Sequence, residues 1–380
     1  MSAAVQLWLG AVATALGAAA MSYTILAACA LRWRPRASRE LPASVPPTTI
    51  LKPLCGAEAG LYERLRSFCQ QPCADLQIVC GVRNADDPAL ETVRRLQAEF
   101  PALALEIAVD PTPHGTSGKV SNLINMLPLA RHDYLVIADS DVRVGPDYLQ
   151  RVIAPLLDEG VGIVTCLYHG SPRPGLWSLL GAMFINEWFM PSVRIAGWCG
   201  SRVFASGATI ALRRAALSRI GGFAAIADQL ADDYRLGELT RRVGLRTVLS
   251  DLEVETAVDE PTLRDLARHE LRWLRTIRTV RPLSYALAGL TFGIPAAILA
   301  SLLAAASPAT VTMLLITIAA RFMINSRPRR VWPVFAQLWL VALNDLLTFS
   351  LWCWGYATRQ VRWRQARYHV ARDGTAHPIL

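Results

Sequence analysis

The chain has little charge for its length of 380 residues. Asp, Glu, Lys and Arg together make up 18% of it, hydrophobic residues make up 53%, and its mean hydropathy is +0.29. Soluble domains carry about 25% charged residues, so this composition excludes a disordered chain and argues against an ordinary soluble enzyme. The formal net charge of +9 favours contact with anionic lipid or phosphate, and we predict no nucleic-acid partner.

The chain also lacks the cysteine spacing of a metal site. Its 8 cysteines are scattered, and the closest pair, Cys69 and Cys73, has no second Cys or His pair nearby. Cysteines without such a pattern fit a reduced, cytosolic setting.

Long uncharged runs are present at both ends of the chain. Residues 1–31 contain no Asp, Glu, Lys or Arg, and about 20 apolar residues suffice to cross a bilayer as a helix, so we predict an N-terminal transmembrane anchor. Four arginines follow this run: Arg32, Arg34, Arg36 and Arg39. A signal peptide carries its charges before the apolar core, which argues against that alternative, and the positive-inside rule places the downstream chain in the cytosol.

Residues 282–357 are predicted to form C-terminal membrane helices. The runs 283–306 and 309–320 are separated by a Ser-Pro break and indicate a helical hairpin. A basic cluster, which should return to the cytosol, follows the hairpin: Arg327, Arg329 and Arg330.

The last apolar segment, residues 331–357, has Asn344 and Asp345 near its centre. Four simple crossings would place the basic tail, residues 358–380, outside the cell. Because that contradicts the positive-inside rule, the segment can instead be re-entrant or lie in the interface. An unpaired aspartate in a bilayer costs about 3 kcal/mol, so we expect Asp345 to be functional or to face protein.

Residues 32–262 show an alternation of strand and helix patterns. Four β-rich runs end in polar or glycine-containing residues, with helix-compatible stretches between them: strands at 48–56, 76–84, 103–110 and 132–141, and helices at 58–71, 88–99 and 118–130. This alternation predicts an α/β fold with a mostly parallel sheet and helices on both faces. Ligands of such sheets bind at the carboxyl ends of the strands, so polar residues after strands are site candidates.

Two acidic motifs follow predicted strands. Asp86 and Asp87 precede Pro88, which is typical of a turn leading into a helix; alternatively, they accept hydrogen bonds from a nucleotide base or ribose. Asp139 and Asp141 follow the apolar run YLVIA. Two carboxylates at the ligand edge of a sheet can hold Mg²⁺ or Mn²⁺, and the alternative is an Asx-type turn.

Asp232 and Asp233 begin a predicted helix. A carboxylate at a helix N-terminus stabilises the helix through its dipole by about 0.3 to 1 kcal/mol, which explains one of the two without a function. The second carboxylate, in a cleft, can act as a general base toward an alcohol.

Five arginines at spacings of three and four predict a basic stripe on one helix, residues 263–281: Arg264, Arg268, Arg272, Arg275 and Arg278. Because a membrane run follows directly, we expect an interfacial helix with most of the stripe facing anionic headgroups. Within it, the sequence HELRW places Arg272 beside Trp273, a pair able to hold a diphosphate and to stack on a sugar.

These motifs, in this order, resemble the ceramide glucosyltransferase-like family of membrane glycosyltransferases. The resemblance covers nearly the whole chain, from LKPLCG and NADDPAL through IADSDVRVGPDYL, SGATIALRR and LADDYRLG to HELRW and VRWRQARYHVARDGTA. The segment HGTSGKVSNLINM is most similar to the bacterial hopanoid-biosynthesis-associated branch. The resemblance implies a GT-A fold that uses a UDP-sugar with Mg²⁺ or Mn²⁺ and inverts the anomeric centre. It also implies a multi-pass protein of the bacterial inner membrane whose catalytic domain is cytosolic.

The resemblance also implies residue roles. Four residues would bind the nucleotide sugar: Asp87, Lys119, Asp139 and Arg272. Asp139 and Asp141 would hold the metal, and Asp233 would be the catalytic base. Trp273 and His269 would contact the acceptor. His269 departs from the family, whose members usually have Gln or Arg there, so its charge would depend on pH.

The activity implied is transfer of a sugar to a hydroxyl of a membrane lipid. Resemblance to the hopanoid-biosynthesis-associated branch favours N-acetylglucosamine as the donor sugar and a hopanoid of the bacteriohopanetetrol type as the acceptor. The alternative is glucosylation of a ceramide or sterol. A processive polysaccharide synthase has similar motifs but generally needs more membrane helices. A non-catalytic lipid-binding scaffold would not need all the acidic motifs together with Arg272 and Trp273.

Overall fold

The computed structural model describes residues 2–32, 41–42, 44–200, 205–326, 338–358, 360–363, 366–371 and 374–379. The side chains of ten arginines that follow the predicted membrane segments lie outside this part: Arg34, Arg36, Arg39, Arg327, Arg329, Arg330, Arg359, Arg362, Arg364 and Arg367. The membrane topology expected from these charges therefore stays a prediction.

Eight strands form the central sheet: β1 (Thr48–Pro53), β2 (Leu76–Val82), β3 (Ala104–Val109), β4 (Tyr134–Ala138), β5 (Val142–Arg143), β6 (Val161–Pro172), β7 (Thr209–Arg213) and β8 (Arg246–Val258). They lie in the order β3-β2-β1-β4-β7-β6-β8-β5. The first four strands in this order are parallel, whereas β7 runs antiparallel to β4 and β6. β8 is parallel to β6 and antiparallel to β5.

The described residues form fourteen α-helices: α1 (Ala3–Arg32), α2 (Leu61–Cys69), α3 (Ala89–Glu99), α4 (Gly118–Met126), α5 (Tyr148–Ile153), α6 (Leu176–Met183), α7 (Met190–Trp198), α8 (Arg214–Arg219), α9 (Asp232–Arg242), α10 (Leu263–Val280), α11 (Pro282–Leu287), α12 (Gly293–Leu303), α13 (Pro308–Asn325) and α14 (Leu338–Gly355). A π-helical turn, Phe184–Phe189, joins α6 to α7.

The central strands are buried on both faces. Ile50 and Ile78 pack into a cluster with α2, α3 and α5, whereas the next residues, Leu51 and Val79, pack into a cluster with α4, α8 and α9. Successive side chains of a strand point to opposite faces, so near-continuous apolar strands need helices on both sides. The predicted α/β fold is confirmed. The predicted strands and helices correspond to β1–β4 and α2–α4.

Two helices of the described residues, α1 and α13, are long and apolar enough to cross a membrane. The pair α11 and α12 would be a third span if its 68° bend lies within one crossing. Gly293 begins α12 and Pro295 follows, and neither residue favours continuation of the preceding helix. The run 283–306 is therefore bent. Ser307 caps α13, because its Oγ accepts a hydrogen bond from Thr310 N, as the Ser-Pro break indicates.

Asp345 faces protein, as expected. Its Oδ1 lies 2.9 Å from Arg321 Nη2, and its Oδ2 accepts a hydrogen bond from Ile294 N at 3.1 Å. Arg321 Nη2 also lies 3.4 Å from Glu187 Oε2. These bonds join α14 to α12, α13 and the π-helical turn, so the polar centre of the last apolar segment is paired within the protein.

A separate antiparallel sheet follows α14. Its strands are β9 (Gln360–Trp363), β10 (Ala366–Val370) and β11 (Ala376–Ile379), with β10 in the middle. The sequence analysis predicted only a basic tail here. The sheet packs Val361, Val370 and Ala376 around Leu230, which belongs to the segment before α9.

Candidate active site

A cavity of about 2120 Å³ lies between the carboxyl end of β4 and the candidate membrane helices. Seven of the eight predicted site residues line it: Lys119, Asp139, Asp141, Asp233, His269, Arg272 and Trp273. The opposite part of its wall includes Tyr23 of α1, Ser192 of α7 and Leu287 of α11. The cavity therefore extends from the charged edge of the sheet to the apolar helices.

Asp139 and Asp141 stand directly after β4. Lys119 Nζ lies 2.6 Å from Asp139 Oδ1, and Thr256 Oγ1 donates to Asp141 Oδ2 at 2.7 Å. Burial raises the pKa of Asp139 to about 6, although the ammonium group of Lys119 opposes this shift; the charge of Asp141 adds to it. The two carboxylates thus lie close enough to repel each other, and a cation between them relieves that repulsion.

The ammonium group of Lys119 is paired with the carboxylates at this edge of the sheet. Its Nζ also lies 3.7 Å from Asp232 Oδ2. Burial would lower the pKa of Lys119, but the carboxylates of Asp139 and Asp232 outweigh burial and hold the pKa above its usual range. Lys119 stands in the first turn of α4, which Ser117 caps by accepting a hydrogen bond from Val120 N. The helix thereby directs the side chain toward the carboxylates.

Sequence reasoning assigned no role to Lys52, which supports this edge from below. The residue is fully buried, and its Nζ donates to the carbonyl oxygen of Asp139 at 2.5 Å and lies 4.0 Å from the ring centroid of Phe68. Burial lowers its pKa to about 8. A lysine within the apolar strand TTILKP is a detectable signal, because lysine is almost never fully buried without a partner.

Ser140, between the two aspartates, is also held from outside the motif. Its Oγ donates to Glu58 Oε1 at 2.7 Å, and its carbonyl oxygen accepts from Arg64 Nε at 3.0 Å. Arg64 and Glu58 are themselves paired at 3.2 Å. These bonds fix the backbone on which both carboxylates stand.

The donor set fits a hard divalent cation. Among the described residues, one oxygen of Asp139 and one of Asp141 make no hydrogen bond to protein. No cluster of three or more His, Cys, Asp or Glu groups suited to a metal occurs in the described part of the chain. Mg²⁺ in nucleotide sites is commonly held by one or two carboxylates together with substrate phosphates and water, which matches this pair.

Asp232 and Asp233 open α9, as predicted. Asp232 Oδ1 accepts from Asp233 N at 3.0 Å, and Asp233 Oδ1 accepts from Tyr234 N at 2.7 Å. Burial raises the pKa of Asp233 to about 6, and the charge of Asp232 adds to this shift. The second oxygen, Asp233 Oδ2, lies against the backbone at Gly207, where a Cβ would be only 3.0 Å away. The hydrogen bond from Tyr234 N thus uses one oxygen of Asp233 and leaves the other for chemistry.

Arg272 projects from α10 into the same cavity. Its side chain makes no hydrogen bond or ion pair with the described residues, although the carboxylates of Asp232, Asp139 and Asp233 act on its charge. Burial lowers its pKa, yet a guanidinium stays protonated in proteins. A half-buried guanidinium without a direct partner, beside three carboxylates, is suited to an anionic ligand.

Part of the arginine stripe binds protein, and the expected contact of the stripe with headgroups stays a prediction. Arg275 Nη1 donates to Gln360 O at 2.9 Å, and Arg278 Nη1 donates to Gly355 O at 2.7 Å. Arg264 is exposed, whereas the other four arginines are half-buried. The reason is that the chain after α14 folds back over α10 and offers its carbonyl groups, a long-range contact that helical spacing does not reveal.

Aromatic side chains surround Trp273. Its ring centroid lies 5.6 Å from Phe189, 5.9 Å from Phe184 and 6.1 Å from Tyr168. Phe184 and Phe189 begin and end the π-helical turn, a feature frequent at functional sites. Trp273 therefore belongs to an apolar wall between the charged edge and the membrane helices.

His269 pairs with a carboxylate that sequence reasoning did not select. Its Nδ1 lies 2.5 Å from Glu260 Oε1, and its ring meets that of Trp273 edge-on at 5.5 Å. Glu260 N in turn donates to Ser178 Oγ at 2.9 Å. Because Nδ1 is occupied, Nε2 is the ring nitrogen left for a ligand in the cavity.

Asp87 does not line the cavity. Its carboxylate accepts hydrogen bonds from Gly56 N at 2.9 Å and from Ala89 N at 2.9 Å. It therefore joins the start of α3 to the loop after β1, where Leu54 and Cys55 do line the cavity. The turn alternative explains these contacts, and the expected approach to uridine stays a prediction.

Comparison with known proteins places these residues in a family context. Residues 12–376 match the family model described as Glycosyl transferase family 21. Ceramide glucosyltransferase 1 of Caenorhabditis elegans is 24% identical over 208 residues, which cover 54% of this chain and 44% of the relative. The ceramide glucosyltransferase of Candida albicans is 28% identical over 120 residues, 28% of this chain and 22% of the relative. The matches thus span less than half the length of these relatives.

A mannosyltransferase from Pyrobaculum calidifontis, solved in complex with GDP-Man and Mn²⁺, is similar in structure. Its TM-score is 0.54 at 24% sequence identity, and the match covers 92% of this chain and 98% of that one. The likeness shows a shared GT-A fold.

Proposed function

Because the chain belongs to glycosyl transferase family 21, we propose that it transfers a sugar from a UDP-sugar to a hydroxyl group of a membrane lipid, with inversion at the anomeric carbon. One observation carries the proposal: a single cavity joins the carboxylates and guanidinium at the sheet edge to walls made by membrane-type helices. A lipid hydroxyl and a nucleotide sugar can meet in such a cavity while the lipid tail stays among apolar side chains.

Asp233 and Arg272 carry the reaction in this proposal. Asp233 accepts the proton of the acceptor hydroxyl through Oδ2, the oxygen that is not bonded to Tyr234 N, and the hydroxyl oxygen forms the new bond to the anomeric carbon as the bond to diphosphate breaks. The leaving diphosphate gains negative charge, which the guanidinium of Arg272 and the ammonium group of Lys119 stabilise. Lys119 is paired with Asp139, and Arg272 lines the same cavity.

Asp139 and Asp141 would hold Mg²⁺ or Mn²⁺ in this proposal. A bound divalent ion supplies further charge stabilisation for the diphosphate. The ammonium group of Lys119 forms an ion pair with the carboxylate of Asp139 in the described structure. Diphosphate binding would therefore have to rearrange this pair, moving the ammonium group from the carboxylate toward phosphate.

Two donor and acceptor pairs are candidates for this cavity. The branch resemblance favours N-acetylglucosamine transfer to a hopanoid, whereas the relatives named ceramide glucosyltransferases favour glucose transfer to a ceramide. Purified protein with Mn²⁺ and radiolabelled UDP-sugar should label one of these lipids in mixed vesicles. A single added sugar supports the proposal. Growing saccharide chains would indicate a polysaccharide synthase. If no lipid carries label with either donor and acceptor pair, with Mg²⁺ or Mn²⁺, or with a total lipid extract, a non-catalytic scaffold is favoured. We place the reaction at the cytosolic side of a bacterial inner membrane, crossed several times by the chain.

The turnover number should depend on pH through the acidic cluster. Burial and Asp232 raise the pKa of Asp233 to about 6, Asp139 adds to the shift, and Lys119 opposes it. Only the deprotonated carboxylate accepts a proton, so the turnover number should be constant above about pH 7 and fall about tenfold per unit below about pH 6. An unshifted aspartate would lose activity only below about pH 4. A flat profile from pH 5 to 7 at saturating substrates would contradict the assignment.

His269 should contribute to acceptor binding. His269→Gln removes the ring nitrogen that Glu260 orients, so the acceptor KM should rise about 2- to 10-fold, the equivalent of one hydrogen bond. The donor KM should stay unchanged. Substrate saturation curves measure both constants, and His377→Gln, an exposed residue of β11, is the matched control. A change confined to the donor KM would show that His269 serves the nucleotide end.

A further inference from the structure

The short segment 227–231 leads directly into α9 and Asp233. One of its sides pairs with the C-terminal sheet as an antiparallel strand would. Leu230 N donates to Gly374 O at 3.2 Å, and Ala376 N donates to Asp228 O at 2.8 Å. Gln229 and Thr375 stand opposite each other in this ladder.

The other side of the segment is bound to the loop before α4. Ser117 N donates to Ala227 O at 2.9 Å, and Thr116 N donates to Asp228 Oδ1 at 2.8 Å. At Gly115 a Cβ would lie 2.6 Å from Ala227 O, so this approach requires glycine. Asp228 thus links the loop that leads to Lys119 with the C-terminal sheet.

The C-terminal sheet is in turn attached to α10. Arg275, one turn after Arg272, donates to Gln360 O in β9 at 2.9 Å. Leu230 packs into the apolar centre of the sheet with Val361 and Val370. The sheet therefore connects the helix that carries Arg272 with the segment that precedes Asp233.

We propose that the C-terminal sheet of β9, β10 and β11 is a clamp that holds segment 227–231 and thereby positions Asp233 relative to Arg272 and Lys119. The proposal rests on the base role given to Asp233 above. Within the part of the chain that the structure describes, the backbone hydrogen bonds of this segment to distant parts of the sequence go to the ladder and to the loop before α4, so the clamp sets where α9 begins. A displacement of about 1 Å at a catalytic group can cost about 100-fold in rate, which makes such a clamp effective without touching substrate.

Gly374 offers a direct way to strain the clamp. Its φ of +87° is unfavourable for other residues, and a Cβ there would lie 2.8 Å from Gln229 Oε1 and 3.3 Å from Val280 Cγ1. Gly374→Ala should therefore strain the turn that carries Gly374 O, the acceptor of the hydrogen bond from Leu230 N, and so weaken the ladder. Gly244→Ala is the matched control, because Gly244 has a similar φ of +79° with no atom within 4 Å of its Cβ position.

In detergent-solubilised full-length protein, Gly374→Ala should lower the turnover number at least about tenfold, with the UDP-sugar KM changed less than about twofold. Gly244→Ala should match the unmodified protein. A folded Gly374→Ala protein with normal turnover overturns the clamp. Asp233→Asn is assayed in parallel: if that variant is active, the base role itself fails, whereas an inactive Asp233→Asn beside a fully active Gly374→Ala rejects the clamp alone.

A reversible tether separates positioning from loss of folding. Gln229 and Thr375 form a non-hydrogen-bonded antiparallel pair, the geometry in which side chains lie closest. Gln229→Cys with Thr375→Cys, added to Gly374→Ala, should restore turnover when the disulfide forms and lose it again with reductant. The unmodified protein under the same oxidant controls for native cysteines. If Gly374→Ala gives no folded protein, Ala376→Pro replaces it as the test variant. Proline removes the backbone N–H of residue 376, which donates to Asp228 O. Turnover that stays low with the disulfide formed, in either background, overturns the proposal.

Discussion

Asp233→Asn should abolish measurable sugar transfer while UDP binding persists. The amide keeps the shape of the side chain and can still accept the hydrogen bond from Tyr234 N through its oxygen, but it does not accept a proton at neutral pH. General base catalysis contributes about 10²- to 10⁴-fold, so the turnover number should fall by that factor. Initial rates with the labelled donor and the lipid acceptor measure it.

The matched control for this variant is Asp75→Asn. Asp75 has a side chain 66% exposed and lies outside the cavity, so its turnover should be normal. Retention of transfer by Asp233→Asn would remove Asp233 from the base role. Loss of UDP binding together with transfer would show that the substitution disturbs the nucleotide end instead.

Arg272→Lys should lower the turnover number by about 10²-fold, equivalent to about 2.7 kcal/mol of transition-state stabilisation. Lysine keeps the charge, but its ammonium group does not reproduce the planar, bidentate contact of a guanidinium with a diphosphate. The effect should appear in the turnover number more than in the lipid KM, because the charge on the leaving group develops in the transition state.

Arg268→Lys is the matched control for Arg272, since Arg268 lies about one turn earlier on α10 and pairs with Asp265 at 3.2 Å on a partly exposed surface. That variant should lose less than about twofold, because exposed ion pairs contribute little. Equal losses in both variants would mean that α10 contributes by its overall charge and not through Arg272. A rise in the lipid KM alone would place Arg272 at the acceptor.

The strands and helices near the acidic edge were predictable because their signals are local. Apolar runs end at polar residues in β2 and β4, and Ser117 and Asp232 stand at helix starts. The carboxylates and Arg272 could be named from short motifs for the same reason. The second half of the sheet was less accessible, because β7 runs antiparallel between β4 and β6, and strand order depends on contacts between distant segments.

The supporting residues of the site were largely missed. Lys52 lies beneath Asp139, Thr256 holds Asp141, and Glu260 pairs with His269. Thr256 and Glu260 are common residue types, and only their partners give them a role, whereas Lys52 was detectable as a lysine within an apolar strand. The motif residues were found because their types are unusual after a strand, whereas a threonine within β8 is unremarkable.

The amino-acid sequence by itself determined the α/β class, the apolar ends and the chemical types gathered for the reaction, because hydrophobic periodicity and charge are properties of neighbouring residues. Only the tertiary structure decided that Asp87 supports a loop beside the cavity, that Arg275 and Arg278 bind backbone carbonyls, and that the basic tail folds into a sheet against the segment before α9. These outcomes depend on which distant segments compete for the same hydrogen bonds and apolar surface, and that competition is resolved only when the whole chain packs.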